Sequence, residues 1–137
     1  MKKFLFPTLN AIGLVIFAWF SWLQHEDDNP DIYVDPSLAD VWAWIVFYGL
    51  VAVGFFLALL KKFPWPLYAL IALYGIYELI TTGPGFFANL QSGHFTMTKS
   101  GMSPNHAEVE LTREFFGAII ALAATGFLAW QRRRKRV

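Results

Sequence analysis

The chain has 137 residues, enough for one domain; 56% are hydrophobic and 18% aromatic, only 15% are charged, and mean hydropathy is +0.44. There is no cysteine, which excludes disulfides, thiolate metal sites, iron–sulfur clusters and dithiol redox chemistry. The net charge of +1 conceals a strong segregation of basic and acidic residues along the chain.

Phe4 to Leu23 is uncharged and long enough to cross about 30 Å of hydrocarbon as a helix. Pro7 falls in its first turn, where a missing N–H costs little. Asn10, Gly13, Phe17, Ser21 and Gln24 recur at helical spacing and mark one small or polar face, which in a membrane points at other helices. Ala18-Trp19-Phe20-Ser21-Trp22 is too bulky for a small-x-small cleavage site, so the segment reads as an uncleaved anchor.

Residues 24–37 are acidic, rich in turn formers and free of Lys and Arg. Asp35 or Ser37 is expected to cap a second helix, with Pro36 beside it and Asp40 in the first turn. That span runs over about 38–60, with Trp42 and Trp44 at one end and Gly49 and Gly54 available for close packing. The basic connection Lys61-Lys62-Phe63-Pro64 is short, so the third span must return antiparallel. The third span covers about 65–82 and carries Glu78, flanked by Tyr74 and Tyr77. Thr82-Gly83-Pro84-Gly85 reads as its stop. A connection over 83–103 follows, in which Phe86, Phe87 and Leu90 suggest a short amphipathic turn on the membrane surface. Ser103 is expected to cap a last helix over about 104–131, with Pro104 at its first position.

These elements define an all-α integral membrane protein: one domain over 1–137, four transmembrane helices at about 4–24, 38–60, 65–82 and 104–131 in an antiparallel bundle, and outer loops 25–37 and 83–103. Lys2, Lys3, Lys61, Lys62 and the five basic residues 132–136 fall on one side, and only Lys99 and Arg113 on the other. This places both termini in the cytoplasm. Every acidic residue then lies outside, or, for Glu78, about one turn below the outer surface. Trp22, Trp42 and Trp44 are expected at the outer interface, Trp65 and Trp130 at the inner one. The expected location is the inner membrane of a bacterium.

A carboxylate at mid-depth in a bilayer costs about 2.5–3.5 kcal/mol. Glu78 is therefore expected to pair with Arg113, beside Glu114. His106, Glu110 and Glu114, at i, i+4 and i+8, share a helical face that continues through Gly117, Ala121 and Thr125. With Gln24 and Asp31 from the first loop, Glu78, Glu110, Arg113 and Glu114 form the candidate cluster, either a structural ion pair or a substrate-binding or proton-accepting group. His25, His94 and His106, with Asp27 and Asp28 or the thioethers of Met97 and Met102, are a weaker metal-ligand set, because no pair has diagnostic spacing. Arg132, Arg133, Arg134, Lys135 and Arg136 suit a stop-transfer anchor on anionic headgroups. No phosphate loop, nucleophile–base pair or haem-like pair of intramembrane histidines is visible, and neither a cofactor nor nucleic acid is expected.

Asn10, Gln24, the turn Asp28-Asn29-Pro30-Asp31, Trp44 with Tyr48, and Glu110-x-x-Arg113-Glu114-x-x-Gly117 together resemble the transmembrane 220 family. That resemblance implies a small four-helix membrane protein whose family supplies no known reaction. The expectation is a non-enzymatic accessory subunit with protein partners in a larger membrane complex. The alternative is a small transporter, or a metal- or substrate-handling protein, working through the outer Glu/Arg/His cluster.

Overall fold

The computed structural model describes residues 2–34 and 36–136, and the side chains of all of these except Lys2, Lys3, Lys135 and Arg136. Asp35, one of the two expected caps, therefore lies outside the described residues, as do the side chains of Lys135 and Arg136 in the basic tail. Four helices account for about three quarters of the chain: α1 (Lys2–Leu23), α2 (Leu38–Leu59), α3 (Trp65–Gln91) and α4 (Ala107–Arg136). All four are long and apolar enough to cross a membrane. The start of α1, the α2–α3 turn and the end of α4 share one end of the bundle, the terminal end. The two longer connections form the other, the loop end.

α2 is the hub, packing against each of the other helices. Its inward residues Trp44, Phe47, Tyr48, Val51, Ala52, Phe55 and Ala58 are buried and make up about half of the main core. Against it lies the face of α1 marked by small and polar spacing. Gly13 admits the Phe55 ring so closely that a β-carbon there would stand 2.5 Å from it. Phe17 stacks on the same ring with centroids 5.8 Å apart, and the Ser21 hydroxyl donates to the Ile45 carbonyl at 2.8 Å. The rest of α1 exposes Val15, Ile16, Trp19 and Trp22, as a lipid-facing helix should.

Two expected boundaries are displaced. α3 does not stop at Gly83-Pro84-Gly85 but continues to Gln91, so Phe86, Phe87 and Leu90 belong to α3 rather than to a surface turn. An interior proline costs a helix about 3 kcal/mol in isolation. Here the last turns are held from outside. Gly85 lies so tightly on Leu111 of α4 that no β-carbon fits between them. Phe86 stacks face to face on Phe115 with centroids 4.7 Å apart. Asn89, 1% exposed, donates to the Thr112 hydroxyl at 2.9 Å and to the Thr96 carbonyl at 2.8 Å. Three tertiary anchors outweigh one local stop.

The second displacement is the start of α4. Ser103 does not cap it; the Ser103 carbonyl accepts from the His106 amide in a turn, and the helix opens at Ala107. Buried Met102, in extended backbone against Tyr33 and Val109, holds the chain out of helix until that turn is complete. At its other end α4 runs past residue 131 through the basic tail to Arg136. Trp22, Trp42, Trp65 and Trp130 are exposed, but Trp44, expected at the interface, is 3% exposed and packs in the core on Phe47 and Tyr48.

Candidate functional site

The first connection is folded around Asn29. Its side-chain Oδ1 accepts the Asp31 amide at 3.0 Å and its carbonyl accepts the Tyr33 amide at 3.0 Å. This is the tight turn that an Asn-Pro pair favours. It swings Tyr33 back toward the bundle. The phenol donates to the Asp27 carboxylate, and the ring is buried against Met102 and Val109. The next residue ties the loop to α4, the Val34 amide donating to Glu110 Oε2 at 3.0 Å.

The opening turns of α2 and α4 supply the facing wall. Asp40, Trp44 and Tyr48 are spaced i, i+4, i+8 and follow one face of α2. Trp44 and Tyr48 rings lie 5.4 Å apart. On α4, Glu110, Arg113 and Glu114 occupy the first two turns, and Gly117 follows beneath Tyr48. A side chain at 117 would collide with the Tyr48 hydroxyl and meet the edge of Trp44 at 3.6 Å, so glycine is what lets the aromatic pair settle against α4.

Between these walls is a cavity of about 370 Å³ lined by Gln24, Asp27, Tyr33, Asp40, Trp44, Tyr48, Met102, Glu110, Arg113 and Glu114, among others. Four carboxyl groups thus face one guanidinium. The Trp44 indole N–H, on a side chain that lines the cavity, is buried without a hydrogen-bond partner. Outside the membrane-spanning segments, burial raises the Asp27 carboxyl above its ordinary range, partly offset by the hydrogen bond from Tyr33. The Tyr33 phenol is pushed up in turn by burial and by that same carboxylate, so it stays protonated and donates.

Of the expected cluster, Gln24, Glu110, Arg113 and Glu114 come together here, and Glu78 and Asp31 do not. Asp31 is exposed on the outside of the Asn29 turn. The Glu78–Arg113 pair does not form. Gly75 meets Leu122 and Gly85 meets Leu111, so Glu78 is level with residues near 119, roughly 9 Å below Arg113 at 1.5 Å per residue. The side chains also diverge, because helical side chains lean toward their own N-terminus and the two helices are antiparallel. Arg113 instead reaches the Met97 carbonyl at 3.4 Å and lies close enough to Asp27 and Tyr33 to act on both. Glu78, 5% exposed, has Tyr74 and Thr81 of its own helix as polar neighbours. It lines an adjoining cavity whose walls also include Asp40 and Glu114.

The histidines do not converge. His106 precedes α4, so it does not stack over Glu110; its Nδ1 pairs with Glu108 at 3.0 Å. His25 packs on Trp22 and Trp42, and His94 is exposed on the second connection. Among the described residues no three His, Cys, Asp or Glu side chains are grouped as a metal site. In the tail, Arg132 is half-buried, Arg133 exposed, and Arg134 stacks over Trp130 at 4.1 Å.

Asp40 and Tyr33 are among the pocket residues that sequence reasoning did not put in the site. Tyr48 entered only as a carrier of a resemblance, Trp44 as that and as an expected interface residue, and Asp27 only as a weak metal partner. The signal for three of them was present: Asp40, Trp44 and Tyr48 sit at helical spacing on α2, as Glu110, Glu114 and Gly117 nearly do on α4.

The fold and this site define a four-helix integral membrane protein with a polar, acid-rich cavity at one end of its bundle. The family model described as transmembrane family 220, helix, matches residues 16–130, most of the chain, and the chain belongs to that family. No curated protein and no solved structure matches it. Of the residues that carry the family likeness, Gln24, Trp44, Tyr48, Glu110, Arg113 and Glu114 all line the one cavity, with Gly117 packed beneath it.

Proposed function

We propose that the loop-end cavity binds a small, positively charged ligand at the outer face of a bacterial inner membrane, and that the protein handles this ligand without chemically altering it. The charge distribution, nine basic residues to two, supports this orientation with both termini inside. The observation that carries the reading is the lining: four carboxyl groups to one guanidinium, with Trp44 and Tyr48 as aromatic wall. Crowded carboxylates repel one another, and an incoming cation relieves that repulsion while its apolar part rests on the rings. Asp40 and Glu114 also border the cavity of Glu78, which offers a carrier a deeper station for the same cation.

The test is thermal unfolding of the purified protein in detergent with choline, agmatine and acetate as probes. A cation at one hundred times its Kd stabilises by about 2.7 kcal/mol. Glu114→Gln and Asp40→Asn are expected to weaken binding about tenfold, equivalent to about 1.4 kcal/mol. Acetate is expected to do nothing. Equal binding by the variants, or no shift with either cation at tens of millimolar, would overturn the reading. In proteoliposomes, Glu78→Gln separates a carrier from a receptor: binding persists, and uptake is lost only in a carrier.

The accessory-subunit reading keeps one observation in its favour. Ala123 and Gly126 of α4 face outward, and a β-carbon at 126 would meet nothing within 4 Å, which suits close approach of a helix from another protein. Native mass spectrometry after gentle extraction decides it: a reproducible heteromeric assembly supports a subunit, and a lone chain or homo-oligomer removes that reading.

A further inference from the structure

Among the described residues, Arg113 is the one basic side chain in the lining of the loop-end cavity. Asp27, Glu110 and Glu114 line the same cavity, yet no carboxylate closes on the guanidinium as an ion pair. Its hydrogen bonding is a single long contact, Arg113 Nη1 donating to the Met97 carbonyl at 3.4 Å. A guanidinium carries five N–H donors in a planar fork. Most of that fork is left over, and the group it fits best is a carboxylate held through two parallel bonds.

The acids around it divide in two. Asp27 accepts from the Tyr33 phenol and Glu110 from the Val34 amide, so the first connection engages both. Asp40 and Glu114 hold no hydrogen bond or ion pair among the described residues. These two also border the adjoining cavity of Glu78, and Arg113 is not among its lining residues. The loop-end cavity thus has a direction. An open seat for an anion lies by the second connection, and open seats for cations lie on the side of α2 and Glu78. One more donor lacks a partner, the Trp44 indole N–H, on a lining side chain 3% exposed. Buried donors are nearly always paired, and an acceptor on the ligand supplies the missing partner.

We propose that the ligand of this cavity is a cationic amino acid, its carboxylate on Arg113 and its positively charged side chain toward Asp40 and Glu114. The proposal rests on the cation-binding reading and narrows it, from any small cation to one that brings a carboxylate. A cavity of about 370 Å³ is in the range of small-molecule sites. Acetate stays out because it offers the surrounding carboxyl groups a like charge and no cation.

Three probes isolate the two ends: L-arginine has both, agmatine lacks the carboxylate, and L-citrulline lacks the side-chain cation. Isothermal titration of the full chain in detergent gives their Kd values. L-arginine is expected to bind about tenfold tighter than either of the others, equivalent to about 1.4 kcal/mol. Net charge alone favours agmatine, so the opposite order reports the carboxylate. Arg113→Gln should erase the advantage over agmatine, while agmatine, relieved of a like charge, binds the variant more tightly than the parent. Arg113→Lys keeps the charge without the fork and should retain only part of the advantage. Glu114→Gln should weaken L-arginine and agmatine alike and leave their ratio unchanged. The proposal is overturned if agmatine or L-citrulline binds the parent as tightly as L-arginine, or if the advantage of L-arginine survives Arg113→Gln. Agmatine binding in those cases leaves the cation reading standing, and no binding by any probe removes both.

Discussion

The two ends of the bundle solve the problem of polar groups near a membrane in opposite ways. At the terminal end, two neutral amides face each other across α1 and α4 and each satisfies the other. At the loop end, the folded first connection is tied to α4, and the carboxyl groups there are only partly satisfied, Asp27 by Tyr33 and Glu110 by the Val34 amide. One end is fastened by a pair of amides that the fold uses up. The other leaves polar capacity unspent around a cavity, and this contrast separates the structural from the functional in a chain whose charges are few.

The contrast can be broken most severely at Gly117. Gly117→Leu would drive a side chain into Tyr48 and Trp44 and is expected to destabilise by about 3 kcal/mol or more. Gly126→Leu, in open space, should stay within about 0.5 kcal/mol. Urea or heat unfolding in detergent reads both; equal effects would mean that the aromatic wall does not rest on α4. At the terminal end, Asn10→Leu strands the Gln131 amide and should cost about 1–2 kcal/mol. The double variant Asn10→Leu with Gln131→Leu should recover most of that loss, and additivity in the cycle would show that the two amides do not act as a pair.

Smaller effects sharpen the picture at the loop end. Glu114→Gln removes one of four crowded carboxylates and should raise thermal stability by about 0.5 kcal/mol even as it weakens cation binding. A fall in stability would identify Glu114 as structural after all. The least effect concerns pH. Asp27 holds its proton more tightly folded than unfolded, because burial raises its carboxyl above the ordinary 3.8. Its contribution to stability is full below that value and is lost as pH rises through the folded one. Asp27→Asn should therefore flatten the slope of melting temperature against pH just above 4, and an unchanged slope would assign it to other groups.

Much of this was legible in the residues. Asn10, Gly13, Phe17 and Ser21 announced the buried face of α1 because helical spacing and side-chain size are local properties. Glu110, Arg113 and Glu114 were legible as a group for the same reason. The end of α3 was not: Gly83-Pro84-Gly85 is a stop by every local rule, and only Leu111, Phe115 and Thr112 on a distant stretch of chain override it. That single misplacement propagates, since the level of Glu78 against Arg113 depends on the register of α3 on α4. The rim residue Tyr33 was equally hidden, because its position depends on how the Asn29 turn reverses the chain.

The helices are unequal, 22 residues each for α1 and α2 against 27 and 30 for α3 and α4. At 1.5 Å per residue the second hairpin is roughly 8–12 Å longer than the first. A bilayer fitted to the shorter pair leaves turns of the longer pair standing in the headgroup layer, and membranes of different thickness would tilt the two hairpins by different amounts. The cavity whose walls both hairpins share would then widen or narrow with the lipid around it, so that bilayer thickness itself becomes a setting of the site.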